Sequence, residues 1–210
     1  MSDVFTQLQQ TLESTFPGER VGSLRKGASP ESIERVERAL GFSLPPSLKV
    51  AYGRHDGVVY GWDLDATDRI PRLIIPYHDW AGLDYVERKW VSLREIAKAT
   101  PMNAYDMPAI TEDCKVRDGL YMDPLWIPIG DSGTEAFAAI DMNPGPAGKV
   151  GQLIRVDEST GTSSVIADSF DGYLLALLDA LQAGRIAADD GEWIRAETGE
   201  PVWNFEQLKG

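Results

Sequence analysis

Ser132 lies in Gly-Asp-Ser-Gly, residues 130–133, inside the stretch WIPIGDSGTEAF. Chymotrypsin-type serine proteases carry that tetrapeptide around their nucleophile. A serine nucleophile needs a base to take its proton and a third group to hold the base. His55 and His78 are the available bases, in the settings GRHDG and PYHDW. Neither resembles the Ala-Ala-His-Cys surroundings of the protease histidine. The expectation is therefore a turn, shaped by Gly130 and Gly133, in which Asp131 and Ser132 make local hydrogen bonds.

Other catalytic patterns fail on single positions. GPAGKVGQ suggests a phosphate loop, but the Walker pattern needs Gly at 143 and Ser or Thr at 150, where this chain has Asn143 and Val150. DLDATD opens like a calcium loop, yet Asp68 occupies the obligatory glycine and Ile74 the closing glutamate position. Two histidines and one cysteine do not suggest a zinc site. With 33 acidic residues, no catalytic carboxylate pair can be singled out. No catalytic, metal or cofactor-binding residue is expected, and no cofactor.

What remains is a surface. Asp56, Asp63, Asp65, Asp68, Asp79 and Asp84 alternate with Tyr60, Trp62, Tyr77, Trp80 and Tyr85, against Arg69 and Arg72. Acids mixed with Tyr and Trp suit a protein-binding face, since buried aromatics anchor interfaces while charges steer encounter. The competing reading places the aromatics in the core. The net charge of −13 argues against direct binding to nucleic acid, which rests on cations neutralising phosphates. It favours fast association with a basic partner, or serves solubility alone.

The elements that must hold such a surface are those of an ordinary globular chain, with 43% hydrophobic and 25% charged residues. A length of 210 residues is enough for one substantial core. No apolar run approaches a membrane span, and MSDVFTQLQQ lacks a secretory signal. The lone Cys114 fits a reducing cytoplasm. Ser2 or Asp3 is expected to cap a first helix with Val4, Phe5, Leu8 and Leu12 at helical spacing. Ser29 caps a second helix that ends at Gly41, and Pro45-Pro46 opens a third that stops at Gly57. Short strands follow over 58–85. Ser92 and Glu95 form a capping box, so a helix should run from there to about Thr100. LWIPIG, EAFAAIDM and VGQLIRV read as strands, the last two as a hairpin around NPGPAG, with SSVIADS a further strand. Phe170 to Leu181 is the clearest helix. The acidic tail should be tied back by Trp193, Trp203 and Phe205. Helices first, strands in the middle and a helix after them indicate α+β, with a mainly antiparallel sheet packed by N- and C-terminal helices. Trp126, Ile127, Ile129, Phe137, Ile140, Leu153, Phe170, Leu174 and Leu178 are the expected core.

Three stretches together resemble the SUKH superfamily, which includes the fungal cell-wall assembly regulator and many bacterial immunity proteins. They are ALGFSLPPSLKVAYGRHDG, WIPIGDSGTEAFAAIDMNPGPAGKVGQLIRV and SFDGYLLALLDALQAG. Where many members have Gly-Asp after the Ile-Gly loop, this chain has Thr134-Glu135. The resemblance implies one SUKH-like domain over 1–210, with a family-like core at about 31–184 and a tail at 185–210. It also implies a binding protein without a catalytic centre. The first expectation is an immunity protein that blocks a cognate, possibly basic, secreted or contact-dependent toxin. The alternative is a scaffold or regulator in cell-wall or stress signalling, and the remote third is a hydrolase using Ser132. The expected contact residues are Asp56, Asp63, Asp65 and Asp68, with Tyr60 and Trp62 as anchors and Asp131 and Glu135 on a neighbouring loop.

Overall fold

The structure is a computed structural model that describes residues 4–15, 24–58, 75, 78–99, 114–117, 122–189, 192–202 and 205–208. Helix α1 (Val4–Thr15) buries Phe5, Leu8 and Leu12, the stripe its spacing predicts. Ser29 caps α2 (Pro30–Leu40) by accepting the Ser32 N–H at 3.2 Å. Gly41 ends it at φ +82°, its N–H donating to the Glu37 carbonyl. That left-handed position is one that residues other than glycine seldom adopt. Helix α3 (Pro46–Arg54) stops at His55, short of Gly57.

A five-stranded antiparallel sheet follows the order β1 (Asp79–Trp80), β2 (Trp126–Asp131), β3 (Ala136–Asp141), β4 (Gln152–Asp157) and β5 (Thr162–Ala167). The β3–β4 pair is the expected hairpin around NPGPAG. Alternation along the strands sends side chains to two faces. Ile127, Ile129, Ala138, Ile140 and Leu153 join α1, α2, α3 and α5 (Phe170–Gln182) on one face. Trp126, Phe137, Ala139, Ile154 and Val156 join Leu93, Val116 and Met122 on the other. Covering both faces explains why WIPI and AFAAI read as unbroken apolar runs rather than as half-buried strands. All nine expected core residues are buried.

The helix α4 (Leu83–Ala99) begins well before Ser92, which is exposed in mid-helix. The capping-box expectation was therefore wrong about where this helix starts. The cap comes from another part of the chain: the Leu83 N–H donates to Asp56 Oδ1 at 2.7 Å. A cap supplied from 27 residues away leaves no local signature. Helix α4 then packs along β2, and Trp90 Nε1 donates to the Pro124 carbonyl at 2.7 Å.

The tail holds a hairpin, β6 (Ile186–Asp189) with β7 (Glu192–Arg195), and a 3-10 turn over Phe205–Leu208. Arg185 ties it to α5, donating to Asp179 at 2.6 Å and to the Leu208 carbonyl at 3.0 Å. Trp193 is buried in the main core as expected, while Trp203 lies outside the described residues. The hairpin itself was not anticipated, although Asp190-Gly191 is a strong two-residue turn signal. Among the described residues, no helix is long and apolar enough to cross a membrane.

Candidate functional site

Antiparallel pairing gathers carboxylates at one end of the sheet. Asp131 closes β2 and stands in register with Asp79 of β1 on one side and Phe137 of β3 on the other. On β4, Asp157 stands opposite Ala136. The β2–β3 and β4–β5 turns therefore lie side by side, and the Glu158 N–H donates to the Glu135 carbonyl at 2.6 Å. Like charges at opposed strand positions do not favour pairing, so strand stability alone does not account for Asp79 beside Asp131.

Each turn is built by its own side chains. Asp131 Oδ1 accepts the Gly133 N–H at 3.0 Å, and Gly133 turns the chain at φ +71°. The Ser132 hydroxyl lies 2.6 Å from the Ala136 carbonyl oxygen, to which it donates, and accepts the Thr134 N–H at 3.2 Å. Asp157 Oδ1 accepts from Ser159 Oγ at 2.6 Å and from the N–H groups of Ser159 and Thr160. These hydrogen bonds, the Ser159 hydroxyl foremost, hold Asp157 below the usual carboxylate range, so it stays charged. Lys89 of α4 closes the rear of the site. Its ammonium donates to both oxygens of Glu158 at 2.6 and 2.7 Å and sits 4.9 Å from the Phe137 ring centroid.

Ser132 is hydrogen-bonded to neither histidine. Its hydrogen-bond partners, Thr134 and Ala136, lie within its own turn, while His55 faces the Arg25 carbonyl at 3.0 Å and Gln9 Oε1 at 3.1 Å. His78 is buried beside Gly130. Ser132→Ala should change stability by less than about 1 kcal/mol, because only local turn bonds are lost. A urea titration of the two proteins checks this.

The other candidate residues divide. Asp56 is not a free surface charge: its side chain is 17% exposed, caps α4 and approaches Arg25 at 3.7 Å. Asp84 is held by Arg35 of α2 at 2.9 Å. Trp80 belongs to the core, with ring centroids 5.2 Å from Tyr52 and 5.3 Å from Phe5. Tyr60, Trp62, Asp63, Asp65, Asp68 and Tyr77 lie outside the described residues. Among the described residues on either side of it, the Val58 N–H donates to the Trp80 carbonyl at 2.9 Å and Ile75 bridges to His78. Asp157 and Glu158 joined the site without having been singled out. The clue was their place in VDESTG, a polar turn between two strands.

A second polar group is buried at the opposite end of the sheet. Asp141 accepts the Asn143 N–H at 2.8 Å and Gln152 Nε2 at 2.8 Å, while Asn143 Nδ2 donates to Asp123 at 2.7 Å. Burial pushes the Asp141 carboxyl above its usual range, helped by the neighbouring Asp123 charge and opposed by these donors. A raised folded value means the folded protein binds more protons than the unfolded chain. The stabilisation is present below the unfolded Asp value of about 3.9 and is lost as pH rises through the folded value. Asp157 has the opposite sign: its contribution is present above the unfolded value and lost as pH falls through the depressed folded one. Denaturant titrations from acid to neutral pH should show the wild-type advantage over Asp141→Asn shrinking as pH rises. The advantage over Asp157→Asn should grow over the same range.

The sequence model of the SMI1 / KNR4 family (SUKH-1) matches residues 27–176. The chain is 23% identical over 214 aligned residues to the cell wall assembly regulator SMI1 of Saccharomyces cerevisiae, covering 90% of this chain and 42% of that protein. It is 25% identical over 190 residues to the cell wall biosynthesis/cell cycle regulator smi1 of Schizosaccharomyces pombe, covering 85% of this chain and 36% of that one. A KNR4/SMI1 homolog of Kluyveromyces lactis is 30% identical over 92 residues, 43% of this chain and 17% of its own length. The chain thus spans less than half the length of these curated relatives.

Proposed function

The chain belongs to the SMI1/KNR4 family (SUKH-1), and from that membership we propose that it is a non-catalytic protein-binding module of a regulatory scaffold. The observation that carries this reading is the alignment of two proteins named as cell-wall regulators along 90% and 85% of the chain. The toxin-blocking role, which the bacterial branch of the superfamily suggests, has no comparable support. The module acts in the cytoplasm and contacts protein partners through the acidic end of its sheet. Asp131, Glu135, Asp157 and Asp79 supply the field, with Asp63, Asp65, Asp68, Tyr60 and Trp62 of the neighbouring stretch as further contacts. Lys89 and Phe137 keep the two turns in place behind them.

Rim charges act mainly on the rate of encounter. The combined variant Asp131→Asn, Glu135→Gln, Asp157→Asn should slow association with a basic partner by about 3–10-fold at low salt and flatten its salt dependence. The test is capture of partners on the tagged chain in its native host, followed by association kinetics with the purified partner. Regulators or enzymes of cell-envelope assembly are the expected partners. Recovery of one stoichiometric toxin encoded beside this gene would overturn the scaffold reading in favour of immunity.

A further inference from the structure

The two edges of the sheet are treated differently. The β1–β2 edge is closed: α4 packs along β2, Trp90 reaches Pro124, and Val58 bonds to Trp80. The β5 edge is open. Among the described residues β5 pairs with β4 alone, and no backbone group of Ser163 to Ala167 bonds anywhere else. An edge strand turns a row of N–H and C=O groups outward and is a template for another strand. The usual guards are Lys, other charges or Pro on the strand, and TSSVIA has none of them. A register shift opposite Leu153 and Ile154 makes Ile166 an extra residue. That bulge limits the flat stretch to residues 162–165.

We propose that residues 162–165 of β5 form a docking edge for an extended, basic segment of a partner protein, which adds to the sheet as a sixth strand. The occupant follows from charge. Glu135, Asp157 and Glu158 lie at one end of β5, and Asp168 and Asp171 at the other. Arg155, in register with Ser164, opposes them, and Lys89 and Lys149 neutralise Glu158 and Asp168. The balance is negative, which suits lysine or arginine around a β-prone run. A second copy of this chain carries the same overall net charge of −13 and the same acids around its edge, which disfavours self-pairing. Main-chain hydrogen bonds would give the affinity. Alternate partner side chains would pack beside Val165, which already lies against the Trp126–Phe137 face. This deepens the protein-binding reading and rests on it.

The probe is a short capped peptide of alternating lysine and valine, titrated into the full chain and followed by amide NMR and hydrogen exchange. The expected result is protection centred on residues 162–165. Binding should weaken at least about tenfold when the peptide is N-methylated at alternate positions, when lysine is replaced by glutamate, or when the chain carries S164K. The N-methylated peptide acts on the wild-type chain, so it decides the matter even if S164K fails to fold. Equal binding of the N-methylated peptide, protection elsewhere, or no binding at all overturns the proposal. So does self-association, seen by sedimentation, that S164K abolishes, since it assigns the edge to a second copy. If S164K still captures the wild-type set of cellular partners, the edge proposal fails while the regulatory reading stands.

Discussion

Replacing Phe137 by alanine should cost the fold about 3–5 kcal/mol, the usual range for truncating a buried aromatic. The ring is fully buried on the sheet face that also receives Leu93 of α4, with Trp126, Ile154 and Val156 in its cluster. In register it lies between Asp131 and Val156, so no neighbouring strand can slide into the gap without losing its pairing. The same ring carries Lys89, whose ammonium fixes Glu158. The variant should therefore loosen the acidic turns as well as the core. Phe137→Leu, which keeps much of the volume, should cost less than half as much. Guanidinium unfolding monitored by tryptophan fluorescence measures both. A loss below about 1 kcal/mol for the alanine variant would contradict the packing described here.

Gly57→Ala should be nearly as damaging, by about 2–4 kcal/mol, for a reason that no burial argument contains. Gly57 has φ +78°, and a Cβ there would sit 2.4 Å from the Gly82 backbone nitrogen and 2.8 Å from the Ala81 carbonyl carbon. Backbone cannot retreat as a flexible side chain can. The displacement would pull Asp56 off the Leu83 N–H and so remove the cap of α4 along with the clash-free turn. Gly53→Ala is the matched control. Gly53 is helical in α3 with no atom within 4 Å of its Cβ position, so alanine there should stabilise, by about 0.5–1 kcal/mol. Thermal melts of the pair should move in opposite directions.

The helices with local signatures were legible. Ser29, Pro30 and Gly41 delimit α2, and the Phe170 to Leu181 stripe is α5, because caps and the 3.6-residue period are written within a few neighbouring positions. Strand identity and the core residues of β2 to β4 were legible for the same reason: a short apolar run bounded by turn residues is a local signal. The three quoted motifs led to the family, and the family match over 27–176 bears that out. Tertiary structure decided the rest. The start of α4 depends on a carboxylate 27 residues upstream, so a local capping box at Ser92 pointed to the wrong place. Whether Asp56 and Trp80 face a partner or the interior could not be read from their types. Residues of identical chemistry serve either purpose, and only the packing around them separates a cap and a core ring from a contact surface. Asp131, Glu135 and Asp157 meet at one end of the sheet only because antiparallel pairing folds β2 to β5 back and forth. The open edge of β5 is likewise a property of strand order, which no single strand's sequence contains.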